Sequence, residues 1–354
     1  MDNSIRYVGL DVHRDSISVA VLDREGKVVK QTVIETKAAA VLRLLQELRG
    51  TLHVVLEEGT WSTWLYELLQ GRVARVVVCD ARKITRMGNK SDRLDARELA
   101  DLLRCNRVSA VFHQDTGLRR LRELARTFVV LTKEQTRTMN RIKALYRSWA
   151  IPCSGQSCYG PKQRSRWLEK LPYAAVRERA KIYYQQLESV QQLRHKVRQA
   201  MLAQARKHPA YRNLVNIPQI GPVRSALLIA FIQVPERFRT KRQFWAYCGF
   251  ALETESSGDY CWVEGKPQRS KKAPLVRGLN RNHHPGLKWI FKSAATRLCS
   301  GEGPFPRFYG ALLEQGIRPE MARLTLARKL AAITLAVWKK REGFDAQRLT
   351  IQAA

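Results

Sequence analysis

An apolar run of strand length that closes on a carboxylate, Tyr7-Val8-Gly9-Leu10-Asp11, is the feature that most restricts how this chain can fold. A charged group at the end of such a run is poorly solvated unless a cation or hydrogen bonds compensate it. The run His53-Val54-Val55-Leu56 repeats the arrangement and closes on Glu57. The segment from Lys90 to Ala100 then reads as a helix, continued by apolar Leu102 and Leu103, and its i,i+3 spacing sets Asp92 and Asp95 on one face. Two strand carboxylates facing a helical pair can hold two divalent ions. Such ions, roughly 4 Å apart, clamp the attacking and leaving oxygens of a phosphodiester during in-line displacement.

The surrounding pattern places these acids on a sheet. Residues 5–12, 16–23 and 28–34 alternate or cluster β-branched side chains between polar turns such as Asp23-Arg24-Glu25-Gly26, which predicts an antiparallel three-strand meander. Ala38 to Leu48 has helical spacing and stops before Gly50. A strand over 52–57, a helix near 61–69, a strand over 75–79 and the helix bearing Asp92 and Asp95 follow. The order β-β-β-α-β-α-β-α is that of a ribonuclease H-like fold, in which the first strand, the fourth strand and the last helix converge on one metal site.

Charge sets the class of partner. The 354 residues hold 63 Lys and Arg against 31 Asp and Glu, a formal charge of +32. A surface this basic repels itself unless a polyanion neutralises it, so nucleic acid is the expected partner, bound tightly and with strong salt dependence. A protein that only coats nucleic acid shares this composition. The seven cysteines include no C-x-x-C pair, and Cys248, Cys261, His283 and His284 fit no common zinc spacing. Reduced thiols in a cytosolic setting are expected. The N-terminus shows no apolar signal core, and the longest apolar stretch, Ala226 to Val234, is too short to span a bilayer.

The length suits two or three domains. From Gly117 to Trp149 apolar residues recur at steps of three and four, predicting one long helix. A second such run from Tyr183 to Met201 follows a break rich in Gly, Pro and Ser, so the two are expected to form an antiparallel coiled-coil arm or a dimerising element. The domain boundaries read as 1–112 for the acid-bearing domain, 113–208 for the arm and 209–354 for a mostly helical module. In that module the turn Asn216-Ile217-Pro218-Gln219-Ile220-Gly221-Pro222, leading into an apolar helix, resembles half of a helix-hairpin-helix, whose backbone N–H groups can hold a phosphate. Ser256-Ser257-Gly258, followed by Lys266, Arg269, Lys271 and Lys272, could present a nucleophile among cations, although Ser-Ser-Gly is also ordinary turn chemistry. Arg277 to Gly286 reads as a second basic loop in which Asn and Arg suit phosphate contact, although Asn-rich turns are common too.

These motifs together resemble the DEDD transposases of the insertion-sequence 110 family, bridge-RNA-guided recombinases, over nearly the whole length. Gly9-Leu10-Asp11-Val12-His13, Leu56-Glu57-Glu58-Gly59-Thr60 and Lys90-Ser91-Asp92-Arg93-Leu94-Asp95-Ala96 carry the family's D, E, D and D in order within a RuvC-like domain. Ile217 to Pro222, Arg237-Phe238, Gly249-Phe250 and Ser256-Ser257-Gly258 resemble its transposase domain, where a serine before glycine is the nucleophile. Ser257 holds that place, with Ser256 as the competing assignment. After Gly258 the chain departs from the commonest family pattern: Arg277 to His284 stands where a Thr/Ser-Lys-x-Gly-Asn element is usual.

The resemblance implies a transposase of a bacterial insertion sequence, acting on target and donor DNA under a noncoding bridge RNA. It implies two Mg²⁺ ions, replaceable by Mn²⁺, at Asp11, Glu57, Asp92 and Asp95. It further implies a phosphoserine link at Ser257, a dimer or a tetramer on two duplexes, no membrane association, and a cytoplasmic protein that joins the nucleoid when acting. The alternative is a RuvC-like junction-resolving nuclease that uses metal-activated water and no serine.

Overall fold

A computed structural model describes residues 4–80, 92–113, 117–255, 260–263, 266–269 and 275–349. The described chain divides into two compact units, 1–115 and 116–354. Among the described residues no helix is long and apolar enough to cross a membrane.

The first unit holds strands β1 (Ile5–Val12), β2 (Ser16–Leu22), β3 (Val28–Glu35), β4 (Thr51–Glu57) and β5 (Arg75–Cys79). They form one sheet in the order β3-β2-β1-β4-β5, antiparallel from β3 to β1 and parallel from β1 to β5. Pleat alternation sorts the side chains onto two faces. Val8, Leu10, Val54, Leu56 and Val78 pack with Val41 and Leu44 of α1 (Ala38–Glu47) and with Leu65 and Leu69 of α2 (Ser62–Leu69). On the opposite face Tyr7, Val55, Val77 and Cys79 meet Leu99 and Leu103 of α3 (Asp92–Arg104). β3 is the exception. Its burial alternates with an exposed set, so this edge strand covers the core with one face only.

The second unit opens with α4 (Arg119–Arg147), then a short helix α5 (Arg164–Glu169) and the 32-residue α6 (Ala174–Ala205). α4 and α6 run antiparallel. Leu121, Ala125 and Phe128 share a core with Met201, Leu202 and Ala205, whereas Ile142, Leu145 and Tyr146 meet Ala180, Tyr184 and Leu187 at the other end. At 1.5 Å per residue the pair extends roughly 45 Å. α6 begins nine residues before the periodic run from Tyr183 that marks it in the sequence. Ala174-Ala175 and Glu178 to Lys181 are good helix formers that bury few side chains, so they carry propensity without an apolar stripe.

The base of the arm continues into a helical core of α7 (Tyr211–Val215), α8 (Gly221–Ile232), α9 (Lys241–Tyr247), α10 (Pro285–Leu298), α11 (Pro304–Glu314) and α12 (Pro319–Lys340). Among the described residues between α9 and α10 are four short strands, β6 (Leu252–Glu255), β7 (Tyr260–Val263), β8 (Lys266–Arg269) and β9 (Leu275–Leu279). They pair antiparallel as β6 with β9 and β7 with β8. These strands do not stand out in the sequence, because β6 is exposed throughout and β9 nearly so, and neither has a buried face to create a period-two pattern.

Candidate metal centre and catalytic segment

β1 and β4 are parallel and in register from Ile5 opposite Thr51 to Leu10 opposite Leu56, so Asp11 and Glu57 are the next residues of two neighbouring strands. Asp11 lies in step with Tyr7 and Gly9, and Glu57 in step with Val55. Both carboxylates therefore stand on the face covered by α3. The helix lies against that face without a spacer. A Cβ on Gly9 would come within 2.0 Å of the Ala96 carbonyl oxygen and 2.8 Å of the Ala100 amide nitrogen. Glycine at position 9 thus lets α3 approach the sheet, two residues before Asp11 and beside Asp95. Asp95 is only 7% exposed.

Asp11 is further fixed by His13, whose Nε2 lies 3.1 Å from its Oδ2. The backbone around His13 is itself held: its amide donates to the Ser16 carbonyl, and its carbonyl accepts from Thr36 Oγ1. Asp92 opens α3 one helical turn before Ala96, but its side chain lies outside the described residues. Among the described residues no three of His, Cys, Asp and Glu form a metal-binding cluster. The residue types suit a hard divalent cation, since Asp11 and Glu57 end adjacent parallel strands and Asp95 is a buried carboxylate on the helix that covers their face.

Two neighbours of this edge escaped the sequence reading. His13 stands in the Gly9-to-His13 motif, which assigns it no role of its own. Asp80, 8% exposed, closes the run Val76 to Cys79 as Asp11 and Glu57 close theirs, so the same strand-end rule would have found it. It falls one residue past Cys79, out of step with the face that Asp11 and Glu57 share.

In the second unit Ser256 and Ser257 lie between β6 and β7, outside the described residues, as do Lys271 and Lys272. In the loop 280–284 the Asn280 side chain bonds within the protein. The Asn280 side-chain amide donates to the Ala246 and Asn282 carbonyls, and its oxygen accepts from the Asn282 amide. His283 Nδ1 contacts the Asn280 carbonyl oxygen at 2.9 Å, while its ring closes on Gly249, where a Cβ would come within 2.6 Å. Arg277 pairs with Glu255. Asn280 thus shapes the turn into α10, since its side-chain amide takes up backbone groups that a tight turn leaves unpaired.

Cys248 is fully buried in the helical core, which drives its thiol pKa well up. His284 Nδ1 accepts from the Leu287 amide at the start of α10. Burial, helped by Arg237, lowers the His284 pKa to about 4 and keeps it neutral. The Arg237 guanidinium lies 4.6 Å over Phe238 and 4.4 Å over Tyr247. The turn ahead of α8 takes the tight form its glycine implies, with positive φ at Gln219 and Gly221.

Residues 8–149 match the transposase family model DEDD_Tnp_IS110, and residues 211–281 match the transposase IS116/IS110/IS902 family. The chain belongs to the IS110 family of DEDD transposases. The first match spans the strand ends and α3, and the second spans the α7–α8 turn through β9. A transposase for insertion sequence element IS1533 from Leptospira borgpetersenii is 28% identical over 109 residues. That similarity covers 29% of this chain and 32% of the Leptospira protein, about a third of its length.

Proposed function

We propose that this IS110-family chain is a DNA transposase and site-specific recombinase whose ribonuclease H-like, RuvC-like domain cuts strands with divalent metal, Asp11, Glu57, Asp92 and Asp95 being the ligands. One observation carries the reading: Asp11 and Glu57 end adjacent parallel strands on the face against which α3 brings Asp95. The sheet order β3-β2-β1-β4-β5 supports the ribonuclease H-like assignment. Two Mg²⁺ ions, or Mn²⁺ in their place, supply charge to polarise the scissile phosphate and to stabilise the departing oxygen. The chain's own residues do the rest. His13 holds one oxygen of Asp11, and the Gly9–Ala96 approach keeps α3, which carries Asp95, close against β1.

Ser257 is the nucleophile in this reading. Its Oγ attacks phosphorus, the bond from phosphorus to the 3′ oxygen breaks, and the 3′ oxygen leaves with a proton while the 5′ end stays linked to serine. Attack by another 3′ hydroxyl then releases the serine and completes the exchange. A bridge RNA that pairs with target and donor would carry sequence choice, leaving the protein to grip backbone through its +32 charge. Exposed Val130, Ile182 and Leu193 on the arm support assembly into a dimer, and into a tetramer on two duplexes.

The test is a suicide DNA substrate with bridge RNA and Mg²⁺. Wild-type protein should form a covalent protein–DNA adduct, Ser257→Ala should form none, and Asp11→Asn should lose cleavage while still binding DNA. Cleavage by Ser257→Ala without an adduct would instead establish the junction-resolving nuclease that uses activated water.

A further inference from the structure

α10 has two stripes. Leu287, Ile290, Phe291, Ala294, Ala295 and Leu298 are buried in the helical core. The outward stripe of Lys288, Trp289, Lys292, Ser293 and Thr296 recurs at helical spacing and lines an open groove of about 430 Å³. Trp289 is 58% exposed, an unusual place for the largest apolar side chain, and among the described residues no carboxylate lines the groove. The floor is held firmly: Arg224, on α8, donates from Nη2 to Ser293 Oγ and from Nη1 to the Gln219 carbonyl, while Ser293 Oγ donates to the Ile290 carbonyl. Arg297 lies near enough to Arg224 to depress its pKa, burial being the larger cause. Lys288 is lowered by partial burial and by Lys292, so the two ammonium groups share one region.

A flat aromatic face between cations, open to solvent and free of lining acids, matches an unstacked base with its flanking phosphates. A protein or membrane partner would instead call for a wider apolar patch, whereas this groove sets the Trp289 indole beside Lys288 and Lys292, with His283 and Pro285 also in its lining. We propose that the α10 groove holds an unpaired nucleotide of a DNA strand, its base stacked on the Trp289 indole and its phosphates on Lys288 and Lys292. The choice of DNA rests on the recombinase reading above, because strand exchange separates paired strands and leaves bases to be held.

The experiment measures fluorescence anisotropy of labelled single-stranded oligo-dT, duplex DNA of the same length and an oligo-U RNA, with full-length protein in EDTA. Trp289→Ala should weaken oligo-dT binding about tenfold and leave duplex binding within about twofold, and Trp289→Phe should recover most of the loss. Lys288→Ala with Lys292→Ala should lower the slope of log affinity against log salt by about 1.4 on oligo-dT. Thermal midpoints are read alongside, and Trp289 is exposed enough that none should move. Unchanged oligo-dT affinity in Trp289→Ala, equal loss on the duplex, or loss on RNA alone would each overturn the proposal. Because no cleavage is measured, a negative result here leaves the metal and serine assignments standing, just as loss of the adduct assay would leave this groove standing.

Discussion

Gly9 shows how a single residue sets the spacing of the proposed centre. Alanine there would drive a methyl into the Ala96 carbonyl, and because backbone atoms cannot turn aside, α3 must shift off β1. Gly9→Ala should cost on the order of 3 kcal/mol, read as a lower denaturation midpoint, and should weaken Mn²⁺ binding measured by calorimetry more than its stability loss explains. His284 gives a pH signature. Its pKa is depressed to about 4 in the folded state against an ordinary value near 6.5, so its contribution is fully present above about pH 6.5 and is lost as pH falls towards 4. Stability lost over that window through this group should be on the order of 3 kcal/mol, and His284→Asn should flatten the thermal midpoint between pH 6.5 and 4.5.

Among elements, the arm gathers its strongest polar contacts at the end far from the helical core. Tyr184 donates its hydroxyl to the Cys158 carbonyl at 2.8 Å and lies 3.0 Å from the Tyr146 hydroxyl, in a core that also buries Trp167 and Leu171. Burial raises the pKa of both tyrosines, so the pair stays protonated and hydrogen-bonded at any ordinary pH. Tyr184→Phe should cost about 2 kcal/mol in chemical denaturation, since the Cys158 carbonyl then loses its donor. Thr138 is the reverse case. Its hydroxyl is buried in α4 and finds no hydrogen-bond partner among the described residues. Thr138→Val should therefore raise stability, by about 1 kcal/mol, in the same measurement.

For the whole molecule, +32 is the dominant property, and it acts at a distance that no single contact does. Duplex DNA affinity should fall by about a thousandfold or more between 50 and 200 mM salt, by filter binding or anisotropy, if the protein covers six or more phosphates. Asp11→Asn should leave that slope unchanged, because it removes an acid from the metal edge and no cation from the surface. A protein that merely coats nucleic acid would show the same slope but no dependence of strand cleavage on Asp11.

The order of elements in the first unit was legible from the sequence, because every strand of the sheet except β3 is flanked by covered faces and each helix lays one stripe on it. Periodicity of two and of 3.6 is the direct record of that burial. The strand-end carboxylates were legible for the same reason, being charges where the pattern calls for apolar residues. Tertiary structure decided what periodicity cannot encode. The parallel register of β1 and β4 puts Asp11 beside Glu57 although 46 positions separate them in the chain, and α3 reaches them only because Gly9 has no side chain. It also decided that Asn280 shapes a turn, that the base of the arm belongs to the helical core, and that Trp289 faces solvent. A local sequence states which residues want burial, but which partner satisfies each is fixed only when distant segments meet.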